Sequence, residues 1–324
     1  MLRKITLTAV CAAMLFSTVP ARADGPITLG LGTLTSIALS PGGTRLAVGT
    51  TIGVYFYDAQ TFVPQGGWET GYEVVQIRWS PTGSRVALVS EEYWSNRLEV
   101  RDADGGKVLW SLTASEWDER FGQVAFDLGG MRLVATRDEH MEIYDAASGV
   151  LLQTFGTEED SYSSYNLLAF SPNWELLATC CAYYNLLQVW DTATWQVKSS
   201  WRWQHNRAFD TDPGQIAWTT NGRYLATIGL DSVVLIWDVA TRQIINQTVP
   251  AENIPSLAFS PDGKYLATGY EGGLARLWSG KDWQTHVPLR GHTGDVSHLV
   301  WSPDGHTLYS GGGNTVRAWD AATG

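Results

Sequence analysis

Seven times along the chain the same alternation of apolar and polar positions returns. A short apolar run breaks at Ser-Pro-Asp-Gly or a relative of it, and a second apolar run follows, as in LAFSPDGKYLATG at 257–269 and IRWSPTGSRVALV at 77–89. The other copies lie at 37–49, 124–136, 168–180, 216–228 and 299–311. Proline presets φ at the turn, Asp bonds the neighbouring backbone and Gly accepts a positive φ, so each copy predicts a tight hairpin between two strands. The anchor position falls at Ser40, Ser80, Asp127, Ser171, Thr219, Ser260 and Ser302, spaced by 40, 47, 44, 48, 41 and 42 residues. Only the fourth copy lacks the turn glycine. Trp174 stands there, which predicts a differently built or strained turn.

After each hairpin a third apolar run ends on an aromatic-Asp pair or a substitute: Tyr57-Asp58, Arg101-Asp102, Tyr144-Asp145, Trp190-Asp191, Trp237-Asp238, Trp278-Ser279 and Trp319-Asp320. A polar turn and a fourth strand follow, as in Val150 to Phe155 and Gln243 to Val249. Continuously apolar stretches such as 233–236 fit strands covered on both faces. With seven hairpins in register and Trp-Asp at 190–191, 237–238 and 319–320, the chain resembles the WD-repeat family over essentially its whole mature length. The period agrees with the roughly 40–45 residues of a four-stranded propeller blade. The expected fold is all-β: a seven-bladed propeller of four-stranded antiparallel blades. The seventh unit stops after its third strand, whereas residues 26–31 precede the first unit without a blade of their own. They are expected to supply the missing outer strand and close the ring.

The resemblance also implies a hydrogen-bonded set of His, Ser/Thr, turn Asp and Trp in each blade. Only His292, Ser310 and Trp319 come near it, with Asn314 where the turn Asp would stand. Thr227, Asp231 and Trp237 make a partial set in the fifth unit.

Residues 1–23 alter where the mature chain begins. Arg3 and Lys4 precede a twelve-residue apolar run, Ile5 to Phe16, and Ala21-Arg22-Ala23 forms an A-x-A cleavage pattern. This is the layout of a secretory signal peptide, and the run is shorter than the roughly 20 residues needed to cross a bilayer as a helix. The mature domain is expected to span 24–324 and to lie outside the cytoplasm, in the periplasm or beyond the cell. A retained membrane anchor is the competing reading. A lipoprotein signal at Cys11 is disfavoured, because Thr8-Ala9-Val10 is no lipobox. Loss of three basic residues with the signal moves the formal net charge from −11 to −14. Such a surface repels nucleic acid and anionic membranes and favours basic partners. Adjacent Cys180 and Cys181 close no long loop and read as small residues on opposite faces of a buried strand.

No catalytic constellation emerges. The histidines at 140, 205, 286, 292, 298 and 306 show no metal-site spacing, and there is no P-loop or G-x-S-x-G elbow. Most carboxylates sit at repeating turn positions, where capping explains them. No cofactor and no metal are expected, and the chain reads as a binding protein, not an enzyme. The departures from regularity lie in the d–a and b–c connections, which gather on one face of such a disc. They carry Tyr93, Trp94, Trp117, Phe121, Tyr162, Tyr183, Tyr184, Trp203 and His205 among acidic residues. Rings give contact area at low entropic cost, so these are the candidate residues for a protein or peptide partner, preferably a basic one, bound by a monomer. The competing structural reading is that rings such as Trp201 and Trp203 extend strand d and pack on the next blade. The alternative function is a small-molecule or carbohydrate site in the central funnel, with or without hydrolysis; that rests on fold analogy alone.

Overall fold

A computed structural model describes residues 27–28, 32–92, 95–114, 120–137, 140–156, 167–181, 186–202, 215–228, 233–248 and 253–324. It shows seven four-stranded antiparallel sheets. Blade 1 is built from Leu34–Leu39, Arg45–Thr50, Gly53–Asp58 and Pro64–Glu69, here strands a to d from the centre outward. The blades that follow occupy 73–114, 121–155, 167–202, 216–248 and 256–290. Blade 7 takes strands a to c from Val296–Trp301, Thr307–Gly312 and Thr315–Asp320, and its fourth strand is Ile27–Thr28. Ile27 pairs with Val316 and Thr28 with Thr315, so the expected closure by an N-terminal strand is present.

The hairpins are held by a repeated side chain. The anchor Ser hydroxyl accepts the backbone N–H five residues on: Arg45 to Ser40 at 3.0 Å, Arg85 to Ser80 at 3.0 Å, Leu176 to Ser171 at 3.0 Å and Thr307 to Ser302 at 2.9 Å. Asp127 does the same for Arg132 in blade 3, at 3.0 Å. The six turn glycines lie at φ between 65° and 72°. Trp174 adopts the same conformation at φ 60°, with the same turn bond from its N–H to the Ser171 carbonyl at 2.8 Å. The fourth turn is therefore not rebuilt. It keeps the shape of the others in a left-handed geometry that is unfavourable for a side chain, and the indole stacks on Phe170 with centroids 4.4 Å apart.

Apolar packing lies between blades. Among the described residues there are seven buried clusters, each spanning one blade interface, including the seam where Leu34, Ile37, Val48 and Phe62 of blade 1 meet Tyr309 and Val316 of blade 7. Strands b and c are covered on both faces, which is why 234–238 is buried at every position. Strand d forms the rim, and there Leu151, Leu152, Ile244 and Ile245 are exposed. Cys180 is buried. Among the described residues no helix is long and apolar enough to cross a membrane.

Candidate functional site

Of the partner-binding candidates, Tyr93, Trp94, Trp117, Tyr162, Tyr183, Tyr184, Trp203 and His205 lie outside the described residues. Phe121 is described, and its assignment to a docking surface is corrected. It opens strand a of blade 3 and is 3% exposed in the cluster between blades 2 and 3. Buried Asn96 clamps its backbone, donating to the Phe121 carbonyl at 2.6 Å and accepting its N–H at 3.0 Å. The Arg137 guanidinium lies 5.1 Å from the ring centroid. Sequence alone placed Phe121 at the end of a loop, and the strand begins at that residue. Trp201 supports the packing reading: it belongs to strand d of blade 4 and lies 6.2 Å from the Trp237 ring.

The predicted structural residues come together in blade 7. The Trp319 indole donates to Ser310 Oγ at 2.7 Å, and Ser310 Oγ lies 2.6 Å from His292 Nε2. The Gly312 carbonyl beside Nδ1 can only accept, so the neutral imidazole keeps its proton on Nδ1 and the serine hydroxyl donates to Nε2. Nδ1 faces Thr315 Oγ1 at 2.8 Å and the Gly312 carbonyl at 3.2 Å. Thr315, not Asn314, completes the set. Burial and the Arg317 charge hold the His292 ring down to about 4, so it stays neutral. In blade 5 the Trp237 indole donates to Thr227 at 3.0 Å; Asp231 lies outside the described residues. The same bond joins Trp190 to Thr179 at 2.9 Å and Trp278 to Thr268 at 2.7 Å. Blades 2 and 3 substitute ions. Arg101 pairs with buried Glu99 at 2.6 Å, and buried Glu142 takes the Tyr144 hydroxyl and sits 3.3 Å from Arg137. Burial and the Glu142 carboxylate push the Tyr144 phenol up.

The turn carboxylates are occupied as caps. Asp58 accepts the N–H groups of Gln60 and Thr61 at 3.1 and 2.8 Å, and Asp320 those of Ala322 and Thr323 at 2.9 and 3.0 Å. Asp102, Asp145 and Asp191 repeat the pattern, while Asp238 takes Thr241 and Arg223. These bonds hold the carboxyls of Asp58, Asp145, Asp191 and Asp238 below the usual range, with Thr61, Ser148, Thr194 and Thr241 respectively as the main cause. Among the described residues no group of three His, Cys, Asp or Glu side chains is placed to hold a metal ion.

One assembly went unnoticed in the sequence. The strands a enclose a central cavity of about 500 Å³, whose lining includes Gln76, Arg78, Gln123, Gln215 and His298. A signal was present: the residue just before the first apolar position of each repeat core reads Ser36, Gln76, Gln123, Leu167, Gln215, Ser256 and His298. Five of these seven line the cavity.

Comparison with known proteins gives a consistent picture. The family model described as WD domain, G-beta repeat matches residues 245–279 and 283–320. An uncharacterized WD repeat-containing protein of Synechocystis is 36% identical over 111 residues, 33% of this chain and 31% of that protein. Transducin beta-like protein 3 of Bos taurus is 27% identical over 203 residues, 61% of this chain and 24% of its own. Small ribosomal subunit protein RACK1 of Drosophila melanogaster is 26% identical over 180 residues, 52% of this chain and 55% of its own. The chain thus spans between about a quarter and just over half of the length of these relatives.

Proposed function

The chain is a WD-repeat β-propeller, and on that premise we propose that it is an extracytoplasmic scaffold that captures a basic protein or peptide on its loop-rich face. Propellers of this kind serve as non-catalytic protein-interaction platforms. The observation that carries the reading for this chain is how its repeated polar groups are spent. The anchor serines and turn aspartates hold their own hairpins, and the Trp–Ser/Thr pairs hold strand to strand. Outside the central cavity, chemistry directed at a protein partner is left to the irregular connections, and those are rich in rings and carboxylates.

The formal net charge supports a basic partner, since steering favours opposite charge. The A-x-A pattern after the apolar run supports export, with the mature chain a monomer beginning at Asp24. Two measurements test these points. Mass spectrometry of the exported protein should give an N-terminus at Asp24; a retained Met1 refutes cleavage. A peptide array probed with the mature chain should retain Lys- and Arg-rich peptides above acidic and neutral ones. Joint substitution of Trp117, Tyr162 and Trp203 by Ala should abolish that binding with an unchanged melting curve. Equal binding by the triple variant refutes the assignment of the face.

A further inference from the structure

We propose that the central cavity is a binding site for a small organic monocarboxylate, held by Arg78 and a ring of glutamine amides. The glutamines are oriented by the protein itself. Gln76 Oε1 accepts the Val124 N–H of the next blade at 2.6 Å, Gln123 accepts that of Leu168 at 3.3 Å, and Gln215 that of Leu257 at 3.2 Å. A backbone N–H can meet only the carbonyl end of a carboxamide, which fixes the flip at all three positions. Each Nε2 is thereby left with its two donors, and no acceptor takes them among the described residues. Three blades thus present NH2 groups at one level of the ring, where an acceptor is wanted.

Arg78 supplies the charge. It follows two residues after Gln76 on the same strand and lines the same cavity. Its guanidinium donates to the Ile77 carbonyl at 3.0 Å and makes no ion pair with a described carboxylate. Among the described residues no Asp or Glu lines the cavity at all, in a chain whose formal net charge is −11. Burial draws the guanidinium down to about 10, still fully charged at neutral pH. His298 lines the same cavity from blade 7, and its ring is held neutral, down to about 4, by burial and by the Arg78 charge. A partly buried cation without a counter-ion is costly, and an anion seated beside it removes that cost.

The same inventory selects the ligand. One fixed positive charge with several neutral donors matches one negative charge, and a planar carboxylate accepts from the guanidinium fork in bidentate fashion. A phosphate dianion would leave a charge uncompensated. Apart from Ser36 the remaining lining residues are apolar; Ile37, Ile77 and Ile216 are buried between blades, while Leu39, Val75, Leu299 and Val300 are half-buried and suit a short hydrocarbon body. The volume lies within the roughly 300–1,000 Å³ typical of small-molecule sites. None of the described cage residues is a loop candidate, so either proposal can fail without the other.

The test is calorimetric titration of the mature chain, in buffer free of carboxylate and phosphate, with butyrate and benzoate. Butyramide, butylammonium and inorganic phosphate serve as controls. Butyrate or benzoate should bind at least tenfold more tightly than any control. Arg78→Met should weaken carboxylate binding at least tenfold while leaving the ligand-free melting temperature equal or higher. Gln123→Glu keeps an acceptor for the Leu168 N–H but places an anion inside the cage, and it should also abolish binding. Equal affinity for butyrate and butyramide, unchanged binding in folded Arg78→Met, or no carboxylate binding by the wild type would overturn the proposal.

Discussion

His292 is buried, neutral and bonded on both ring nitrogens, so its protonation should be resisted by the folded state alone. Its pKa is held down to about 4 in the fold, against an ordinary value near 6.5 in the unfolded chain. The unfolded state then binds more protons between these values, and stability must fall as pH falls through that window. Between pH 7.5 and pH 5.0 linkage gives a loss of about 2 kcal/mol for such a group. His298 is depressed to a similar degree and contributes a second loss of about the same size. The capping aspartates are depressed below an already low value, so their contribution disappears only at more acid pH and does not confuse the interval. Urea denaturation at the two pH values measures the difference directly. Wild type should lose about 4 kcal/mol, and His292→Gln, which removes one titrating ring, should lose about half as much. Equal pH dependence in wild type and variant would show that the network with Ser310 and Trp319 does not hold the ring neutral, and the argument would fail.

In a protein spanning residues 24–324, deleting residues 24–31 should lower the melting temperature by several degrees and promote association, because it uncovers the edge of Thr315–Asp320; an unchanged melting curve refutes closure by that strand. Ser310→Ala leaves an indole N–H and an imidazole nitrogen unbonded in a buried site and should cost about 2–4 kcal/mol by denaturant unfolding, whereas a loss under about 0.5 kcal/mol would show the network to be unimportant. Trp174→Gly relieves about 1–2 kcal/mol of left-handed strain and gives up an aromatic stack worth about 0.5–1.5 kcal/mol, so stability should change by no more than about 1 kcal/mol; a larger loss would mean that the indole does more than stack on Phe170.

What could be read from the sequence, and what could not, follows from the range of the interactions concerned. The hairpins are local: the Ser and the N–H it accepts stand five residues apart, and the Asp caps reach only two or three residues, so spacing alone revealed them. Closure was legible because it is a matter of counting strands, one missing at the C-terminus and one spare at the N-terminus. The depth of Phe121 was not legible, since its burial comes from packing between blades 2 and 3, and the Asn96 that clamps its backbone stands 25 residues earlier on another blade. The central cage was hidden for a stronger version of the same reason. Gln76 reads as an ordinary polar residue in a strand, and its bond to Val124 spans 48 residues. Only the arrangement of the blades about one axis converts a position repeated about every 40 to 48 residues into neighbours around a single cavity. A polar residue repeated just before the first apolar position of each core should therefore be taken, in a repeat of this period, as pointing to the axis. In this chain that position carries three glutamines and a histidine, set against one arginine that has no acidic partner among the described residues. The chemistry most distinctive of this propeller thus lies on its innermost strands.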